Sequence, residues 1–311
     1  MKFAIISDVH GNFPALTKVV EDARANNVDR FIFIGDYIFD LPFSNEVLQF
    51  ISRMEHADVI LGNKEVFLKA LSEEDQSGWV FDQMGAVFQT YRELTRESFV
   101  YIASLKEEAF VLTESGRVIY ASHYLKGMPS GIKTNCSSSR FHEVMRQNSF
   151  SRQQYLDEIA AQLKRDDYQT LFQSIEADVI LFGHDHLQYH GYCGGKLIVN
   201  PGSCGQPLDF DRRAAYTIIE ETSSGFCVED RRVEYDVEAV IQATKKSKMY
   251  ACATTWCELV VLAIRTGRDY CGKCFQIASR IAATKGEESR FFTNETWAQA
   301  QRVFSETKLD A

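Results

Sequence analysis

The feature that most constrains the fold is a short apolar run that occurs five times, each time leading to a residue able to bind a metal ion. The runs are "KFAIIS", "RFIFIG", "ADVILG", "RVIYAS" and "ADVILFG". In chain order they precede Asp8, Asp36, Asn63, His123 and His184. Near-continuous β-branched runs of this length predict strands that are buried on both faces.

Helical patterns separate the first three of these runs. The segment "PALTKVVEDARANN" (14–27) places Pro14 in a first helical turn, and "SNEVLQFISRMEH" (44–56) follows the second run. Alternation of strand and helix predicts an α/β domain in which ligands gather at the carboxyl ends of the strands. We therefore expect the five polar residues to meet at one edge.

The character of the chain changes near Asp236. Before it, residues 196–200, 214–220 and 225–235 read as short strands joined by turns, and after it the periodicity is helical. We predict a catalytic domain over 1–235 and a helical C-terminal extension over 236–311. The extension carries no readable motif, so it could cover the domain, form a lid or provide the interface of a homo-oligomer.

The polar residues at the strand ends have the spacing of metal ligands. Asp8 and His10 lie two apart on an extended segment, so their side chains point the same way. His184 and His186 in "FGHDH" share this spacing. The carboxylate of Asp36 has two oxygens and can bridge two metal ions.

Two further ligands complete the set, because Asn63 offers a neutral oxygen and His123 an imidazole. Carboxylate, amide and imidazole together suit Zn, Mn, Fe or Ni rather than Ca or Mg. The absence of thiolate from these motifs argues against a structural zinc knuckle. Each motif alone is more often an ordinary turn, and only their joint occurrence at five strand ends favours a metal centre.

In this order the motifs resemble those of the calcineurin-like metallophosphoesterase superfamily: D-x-H, G-D, G-N-H-[DE], H-G and G-H-x-H. The resemblance covers residues 1 to about 235. The segments "SDVHGNFPALTKVV" and "VNPGSCGQP" resemble the branch of bacterial phosphodiesterases and diadenosine-tetraphosphatase-like proteins. The resemblance to this superfamily implies an α/β fold, a four-layer αββα sandwich of two mixed β-sheets, with the helical extension added at the C-terminus.

The resemblance also implies two divalent transition-metal ions, drawn from Mn, Fe, Zn and Ni. The first would be held by Asp8, His10, Asp36 and His186, and the second by Asp36, Asn63, His123 and His184. Two such ions ~3.5–4 Å apart can clamp phosphoryl oxygens and carry a bridging hydroxide that attacks phosphorus in line. The expected activity is hydrolysis of phosphoester or phosphoanhydride bonds in a small soluble substrate, such as a dinucleoside polyphosphate.

Lys64 departs from the family pattern, because it stands where the family places a histidine assigned as general acid. We assign catalytic roles to Asp36, Asn63, Lys64 and His123. Nearby dications and burial would lower the pKa of Lys64 and make it an acid. It could instead be a fixed charge that stabilises phosphoryl oxygens, or an ordinary surface lysine.

Substrate binding is expected at Lys64, Tyr124 and Asn200. Tyr124 replaces the glycine that follows the family's histidine, and its ring would shape specificity or simply pack. Asn200 belongs to the Asn-Pro-Gly-Ser segment of the resembling branch. A basic loop over 124–150 could hold a second phosphate or a nucleotide through Lys126, Lys133, Arg140, His142 and Arg146.

Cysteine usage favours reduced thiols. Cys271-x-x-Cys274, with Cys252 and Cys257 upstream, has the ligands of a four-thiolate zinc site. These residues lie among apolar neighbours at helical spacing, so we interpret them as reduced core thiols.

Charge and hydropathy limit the partners. Lys and Arg number 34 against 43 Asp and Glu, and the net charge of −9 argues against nucleic acid as a partner and against a nuclease. No apolar run approaches the ~20 residues that cross a bilayer, and Asp8 interrupts what would be a signal peptide. We expect a cytoplasmic protein without a membrane partner. The alternatives are a protein phosphatase of the same superfamily, and a metal-binding scaffold or regulatory protein with impaired catalysis.

Overall fold

The computed structural model describes residues 1–71, 73, 82–128, 151–287 and 292–306. Ten strands occur in these ranges: β1 (Lys2–Ile6), β2 (Arg30–Phe33), β3 (Ala57–Val59), β4 (Glu108–Leu112), β5 (Val118–Ser122), β6 (Val179–Leu181), β7 (Gln188–Cys193), β8 (Lys196–Pro201), β9 (Ala214–Thr222) and β10 (Gly225–Val233). They form two five-stranded sheets. Sheet 1 has the order β10-β9-β1-β2-β3, and sheet 2 has the order β4-β5-β6-β8-β7.

Helices fill most of the remaining described residues. They are α1 (Phe13–Ala25), α2 (Ser44–Ile51), α3 (Asn63–Leu71), α4 (Asp82–Glu93), α5 (Arg96–Ser104), α6 (Arg152–Gln162), α7 (Asp166–Ser174), α8 (Val237–Lys246), α9 (Lys248–Cys252), α10 (Thr254–Thr266), α11 (Tyr270–Lys285) and α12 (Asn294–Glu306). The predicted helices at 14–27 and 44–56 correspond to α1 and to the shorter α2. Asn12 begins α1 by accepting the N–H of Ala15 at 3.2 Å.

Both sheets are mixed, and their parallel parts carry the predicted ligand strands. In sheet 1, β1 pairs in parallel with β2, and β2 with β3. In sheet 2, β5 pairs in parallel with β6, and β6 with β8. The remaining pairings are antiparallel. The carboxyl ends of the five predicted strands therefore bring their polar residues to one edge of the sandwich.

Apolar side chains divide the molecule into four layers. The inner faces of the sheets meet in a buried core that includes Phe3, Ile5, Ile119 and Leu181. The outer face of sheet 1 packs against α1 and α2, and the outer face of sheet 2 against α6 and α7. Removal of these side chains from water is the main force that stacks the layers. The αββα sandwich predicted from the resemblance is confirmed.

The C-terminal helices pack onto the sandwich as well as onto one another. Val260, Val261 and Ile264 of α10 belong to the core beneath sheet 1. A second apolar cluster joins α10, α11 and α12 around the buried Trp297. The helical segment begins at Val237, beside the boundary predicted at 236. The division into two domains, and a lid or oligomer role for these helices, stay predictions.

The cysteines form no metal site in the described residues. The seven cysteines there are free, and no three thiols lie close enough together to bind one ion. Cys257 and Cys274 are buried as expected, whereas Cys252 is exposed and Cys271 is half-buried. The same described ranges contain no helix with the length and apolar character needed to cross a membrane.

Candidate metal centre

The backbone turns sharply at the ligand positions. A left-handed φ is found at Asp8 (54°), His10 (49°), Asp36 (57°), His184 (71°) and His186 (55°). Such a φ is uncommon for residues other than glycine and costs of order 1–3 kcal/mol at each position. Strain of this kind clusters at functional sites, and here it turns each side chain back toward the shared edge of the sheets.

The first ligand cluster contains Asp8, His10 and His186, all of them buried. His186 Nε2 lies 3.3 Å from Asp8 Oδ1, and His10 Nε2 lies 3.7 Å from the same oxygen. The other oxygen of Asp8 accepts from Ser7 Oγ at 2.6 Å and from the His184 N–H at 2.9 Å. The Asp8 carboxylate is thus fixed by one oxygen and presents the other to both imidazoles.

The second cluster contains Asp36, His123 and His184. His123 Nε2 lies 3.4 Å from Asp36 Oδ2 and 3.0 Å from Asn63 Oδ1. The same Asp36 oxygen lies 3.9 Å from His10 Nε2 of the first cluster. Asp36 is therefore placed between the two clusters, where a bridging carboxylate would stand.

Oxygens behind three imidazoles fix which nitrogen faces the site, through a hydrogen bond at His123 and at His186 and through an ion-pair contact at His10. The oxygens beside Nδ1 are Asp40 Oδ2 for His10 (2.7 Å), the Ile34 carbonyl for His123 (2.6 Å) and the Gln206 carbonyl for His186 (2.6 Å). An oxygen without a hydrogen can only accept, so Nδ1 carries the proton in each ring. The Nε2 lone pairs consequently point into the site.

This arrangement fits two bound cations. His10 Nε2 and His186 Nε2 face each other at 3.1 Å, and His123 Nε2 faces Asn63 Oδ1 at 3.0 Å. In neutral rings with Nδ1 protonated both contacts join two acceptors, and in the metal-free protein a proton on His10 and His123 takes the place of a cation between them. Asp8 Oδ1 is buried and accepts no hydrogen bond within the described structure. A positive ion between these atoms would satisfy all of them.

The charges of the site favour positive occupants. Burial lowers the pKa of His123, but the Asp36 carboxylate outweighs it and raises that pKa to about 10. Burial is likewise outweighed at His10, whose pKa is raised to about 9 by Asp40 and Asp8. His184 differs, because burial and the charge of His123 lower its pKa to about 3.

Glu65, in the family's [DE] position, holds two of the corners together. Its buried carboxylate accepts the backbone N–H groups of Gly62 (2.8 Å), Asp36 (2.9 Å), Tyr37 (2.8 Å) and Ile38 (3.3 Å). These donors belong to the turns after β2 and β3, so one side chain ties both turns. Its only sequence signal is its position as the acid directly after Asn63-Lys64.

Lys64 lies in the first turn of α3 and is half-buried. Its backbone N–H donates to Asp36 Oδ1 at 2.8 Å. Burial lowers the pKa of its ammonium, but the Asp40 and Asp36 carboxylates outweigh this and raise the pKa above its ordinary value. Among the protein's own groups the shift is opposite to the lowering expected for a general acid.

The three predicted substrate-binding residues differ in access to the site. Tyr124 is 41% exposed, and its ring centroid lies 5.8 Å from that of His184. Asn200 is fully buried, donates to the Gly183 carbonyl at 3.0 Å and accepts the Gly202 N–H at 3.0 Å. It supports the turn that carries His184, and contact of Asn200 with substrate stays a prediction.

The basic loop falls mainly outside the described residues. Of its named members, Lys133, Arg140, His142 and Arg146 lie there. Lys126 is described and pairs with Glu107 at 3.6 Å on the surface. A role of this loop in binding phosphate therefore stays a prediction.

Sequence reasoning missed Asp40, which contacts His10 from behind. Asp40 is buried, has a left-handed φ of 61° and lies four residues after the bridging Asp36. The available signal was an acid inside the apolar segment "YIFDLP". Nothing in the sequence, however, connects that acid to His10.

Two stacked mixed sheets with clustered acids and histidines at their common edge define a metal-binding αββα sandwich protein. The sequence pattern of the calcineurin-like phosphoesterase superfamily domain matches residues 1–224. The chain therefore belongs to the calcineurin-like phosphoesterase superfamily, and the resemblance drawn from its motifs is confirmed.

Individual relatives are distant. An uncharacterized protein of Methanocaldococcus jannaschii is 23% identical over 265 residues, covering 79% of this chain and 93% of that protein. A crystal structure of a metallophosphoesterase from Sphaerobacter thermophilus has a TM-score of 0.59 at 20% identity, covering 86% of this chain and 99% of the other. The crystal structure of a hypothetical protein from Pyrococcus horikoshii OT3 has a TM-score of 0.58 at 16% identity, covering 86% of this chain and 98% of the other. At such identities the likeness concerns the fold.

Proposed function

We propose that the protein is a two-metal phosphohydrolase that cleaves a phosphoester or phosphoanhydride bond in a small soluble substrate. The observation that carries the proposal is the convergence of two ligand clusters, with His10 Nε2 3.1 Å from His186 Nε2, His123 Nε2 3.0 Å from Asn63 Oδ1 and Asp36 between the clusters. A scaffold requires no such convergence of lone pairs. When bound, two divalent ions at these clusters supply an activated water and a clamp for phosphoryl oxygens.

The side chains around the clusters have distinct tasks in this proposal. Asp8, His10 and His186 would hold one ion, and Asn63, His123 and His184 the other, with Asp36 shared. Lys64 contributes a positive charge beside Asp36 that stabilises the negative charge of the phosphoryl group. In the metal-free protein Asp40 and Asp36 raise the pKa of Lys64, which supports a fixed charge, whereas dications bound at Asp36 would lower it toward the range of a general acid.

A cavity next to the second cluster supports a small substrate. It has a volume of about 940 Å³ and is lined by Asn63 and His123 at its inner end. Tyr120 and Tyr124 give it aromatic surface, and Lys106 adds positive charge beside the acids of 107 and 108. A phosphate held at the metals would leave its organic group, a nucleoside or another aromatic group, in this cavity.

The test is a hydrolysis assay with added Mn²⁺ on p-nitrophenyl phosphate, bis-p-nitrophenyl phosphate and diadenosine tetraphosphate. We expect turnover of at least one of them by the parent protein. His123→Ala should abolish it, because this change removes a ligand of the second ion. His190→Ala is the matched control, since His190 is exposed on β7 and pairs with Asp230 on β10 at 3.0 Å. Turnover that survives His123→Ala would contradict the proposal.

One observation favours a second candidate, a metal-binding scaffold or regulatory protein with impaired catalysis. Lys64 occupies the position of the family's general acid, and its pKa is raised, so it is a poor proton donor at neutral pH. Metal binding by the parent without turnover of any of the three substrates would support this candidate.

A further inference from the structure

A chain of two short contacts connects the C-terminal helices to the metal centre. Asp40 Oδ2 lies 2.7 Å from His10 Nδ1, and Asp40 Oδ1 accepts the indole N–H of Trp256 at 2.9 Å. Trp256 belongs to α10 and is 216 positions away from Asp40 in the sequence. Each oxygen of the carboxylate thus has its own partner, one on either side.

We propose that Trp256 is a positioning residue of the metal centre: its indole fixes the Asp40 carboxylate, which holds His10 with Nε2 toward Asp8 and His186. Partners behind a metal-binding histidine set the orientation of its ring, and their loss typically lowers metal affinity about 10–100-fold. Asp40 is such a partner for His10. The inference rests on the metal centre of the proposed function and not on the reaction.

The geometry suits orientation by a neutral donor. An indole N–H can donate but cannot accept, so its contact fixes which way Asp40 turns without supplying a charge. The negative charge of Asp40 remains available to His10, whose Nδ1 lies 2.7 Å from Asp40 Oδ2. Asp40 is buried, so its carboxylate has little freedom to replace the lost donor with water.

Trp256 is itself held firmly. It packs at the junction of the core beneath sheet 1 and the apolar cluster of the C-terminal helices. Its ring meets Phe275 of α11 edge-on at 5.5 Å between centroids. Val260 and Ile264, one and two turns further along α10, are buried in the sandwich core. The position of the indole is therefore set by packing of the whole helix.

The chain offers a matched control in Trp297. Its indole N–H also donates to a carboxylate, Asp82 Oδ2 of α4 at 2.8 Å. Trp297→Phe and Trp256→Phe each remove an indole–carboxylate bond, but Asp40 alone continues to a ligand histidine. A general loss of stability would lower the metal affinity of both variants, whereas loss of a positioning residue lowers that of Trp256→Phe alone.

The experiment titrates the metal-free full-length protein and its variants with Mn²⁺ by calorimetry, with Zn²⁺ in parallel. Asp40→Ala should weaken one binding step about 10–100-fold. Trp256→Phe should weaken the same step in the same direction by a smaller factor, and Trp297→Phe should leave it unchanged. Trp256→Gln, which keeps an N–H donor in a smaller side chain, should bind more tightly than Trp256→Phe.

The double variant Asp40→Ala, Trp256→Phe tests the order of action. If Trp256 acts through Asp40, the double variant binds no more weakly than Asp40→Ala alone. The inference is overturned if the losses of metal affinity in Asp40→Ala and Trp256→Phe add in the double variant. It is also overturned if Trp256→Phe and Trp297→Phe lose metal affinity equally, or if Trp256→Phe binds metal as tightly as the parent. Failure of the parent to bind either metal would overturn the proposed function as well, so the two failures are distinguishable.

Discussion

Lys64 is the residue whose chemistry most affects the choice of substrate. It lies beside Asp36 and near Asp40, and these carboxylates keep its ammonium protonated. A protonated lysine stabilises phosphoryl oxygens well but gives up a proton poorly near neutral pH. An enzyme built this way should favour leaving groups that need little protonation, such as phosphoanhydrides and aryl phosphates.

Replacement of Lys64 by histidine tests this preference. Across esters of rising leaving-group pKa, we expect kcat/KM of the parent to fall steeply and that of Lys64→His to fall less. A placed acid contributes about 10²–10⁴-fold, and the gain should be greatest for the poorest leaving group. Lys69→His, an exposed position on the same helix, is the control. If Lys64→His gains nothing on poor leaving groups, the preference has another cause.

Residue types at the ligand positions were predictable, but their conformation was not. Asp, Asn and His at the ends of apolar runs indicated a metal centre before any geometry was known. The left-handed backbone at Asp8 and His184 has no sequence signal, because it is imposed by the turns that surround it. Asp40 was missed for a related reason, since its two partners are distant in the sequence.

At the scale of elements, a strand could be predicted from the sequence most readily where its residues form an unbroken apolar run. Strands β1, β2 and β6 are buried on both faces and appear as unbroken apolar runs. The edge strands β4 and β7 contain exposed positions and glycine or glutamate, so they have no comparable signal. Asn63 follows an apolar run, as predicted, and it is also the first residue of α3.

One contact between edge strands gives a pH-dependent prediction. Asp230 on β10 raises the pKa of His190 on β7, so the folded state binds the proton more tightly than the unfolded chain. The stabilisation is therefore complete below the unfolded pKa of ~6.5 and is lost as pH rises through the raised folded value. Because the pair is partly exposed, we expect at most about 0.2–1 kcal/mol.

Urea unfolding of the parent and His190→Asn measures this effect. The difference in free energy of unfolding should be larger at pH 5.5 than at pH 9. His56→Asn is the control, because His56 is exposed and its left-handed backbone accommodates asparagine. A difference that grows toward high pH would contradict the assignment of the pair.

At the scale of the whole molecule, the metal ligands come from both sheets. Asp8, Asp36 and Asn63 follow strands of sheet 1, whereas His123 and His184 follow strands of sheet 2. Each ligand cluster includes residues from both layers. Bound ions would therefore connect the two sheets, and their binding free energy adds to that of folding.

Calorimetric unfolding with and without chelator checks this connection. At 100 times the dissociation constant, one bound ion should stabilise the folded protein by about 2.7 kcal/mol, and Tm should rise with Mn²⁺ concentration. Asp36→Asn should lose most of this rise, because Asp36 lies between the clusters. A Tm that is independent of metal in the parent protein would contradict the assignment of these ligands.

The position of β1 has a consequence for biosynthesis. β1 lies in the middle of sheet 1, between β2 and β9, although β9 follows it by more than 200 residues and ends at Thr222. During synthesis one edge of β1 therefore stays unpaired until β9 has left the ribosome. Such an unpaired edge is prone to aggregation, and the large sequence separation of the two strands prolongs its exposure.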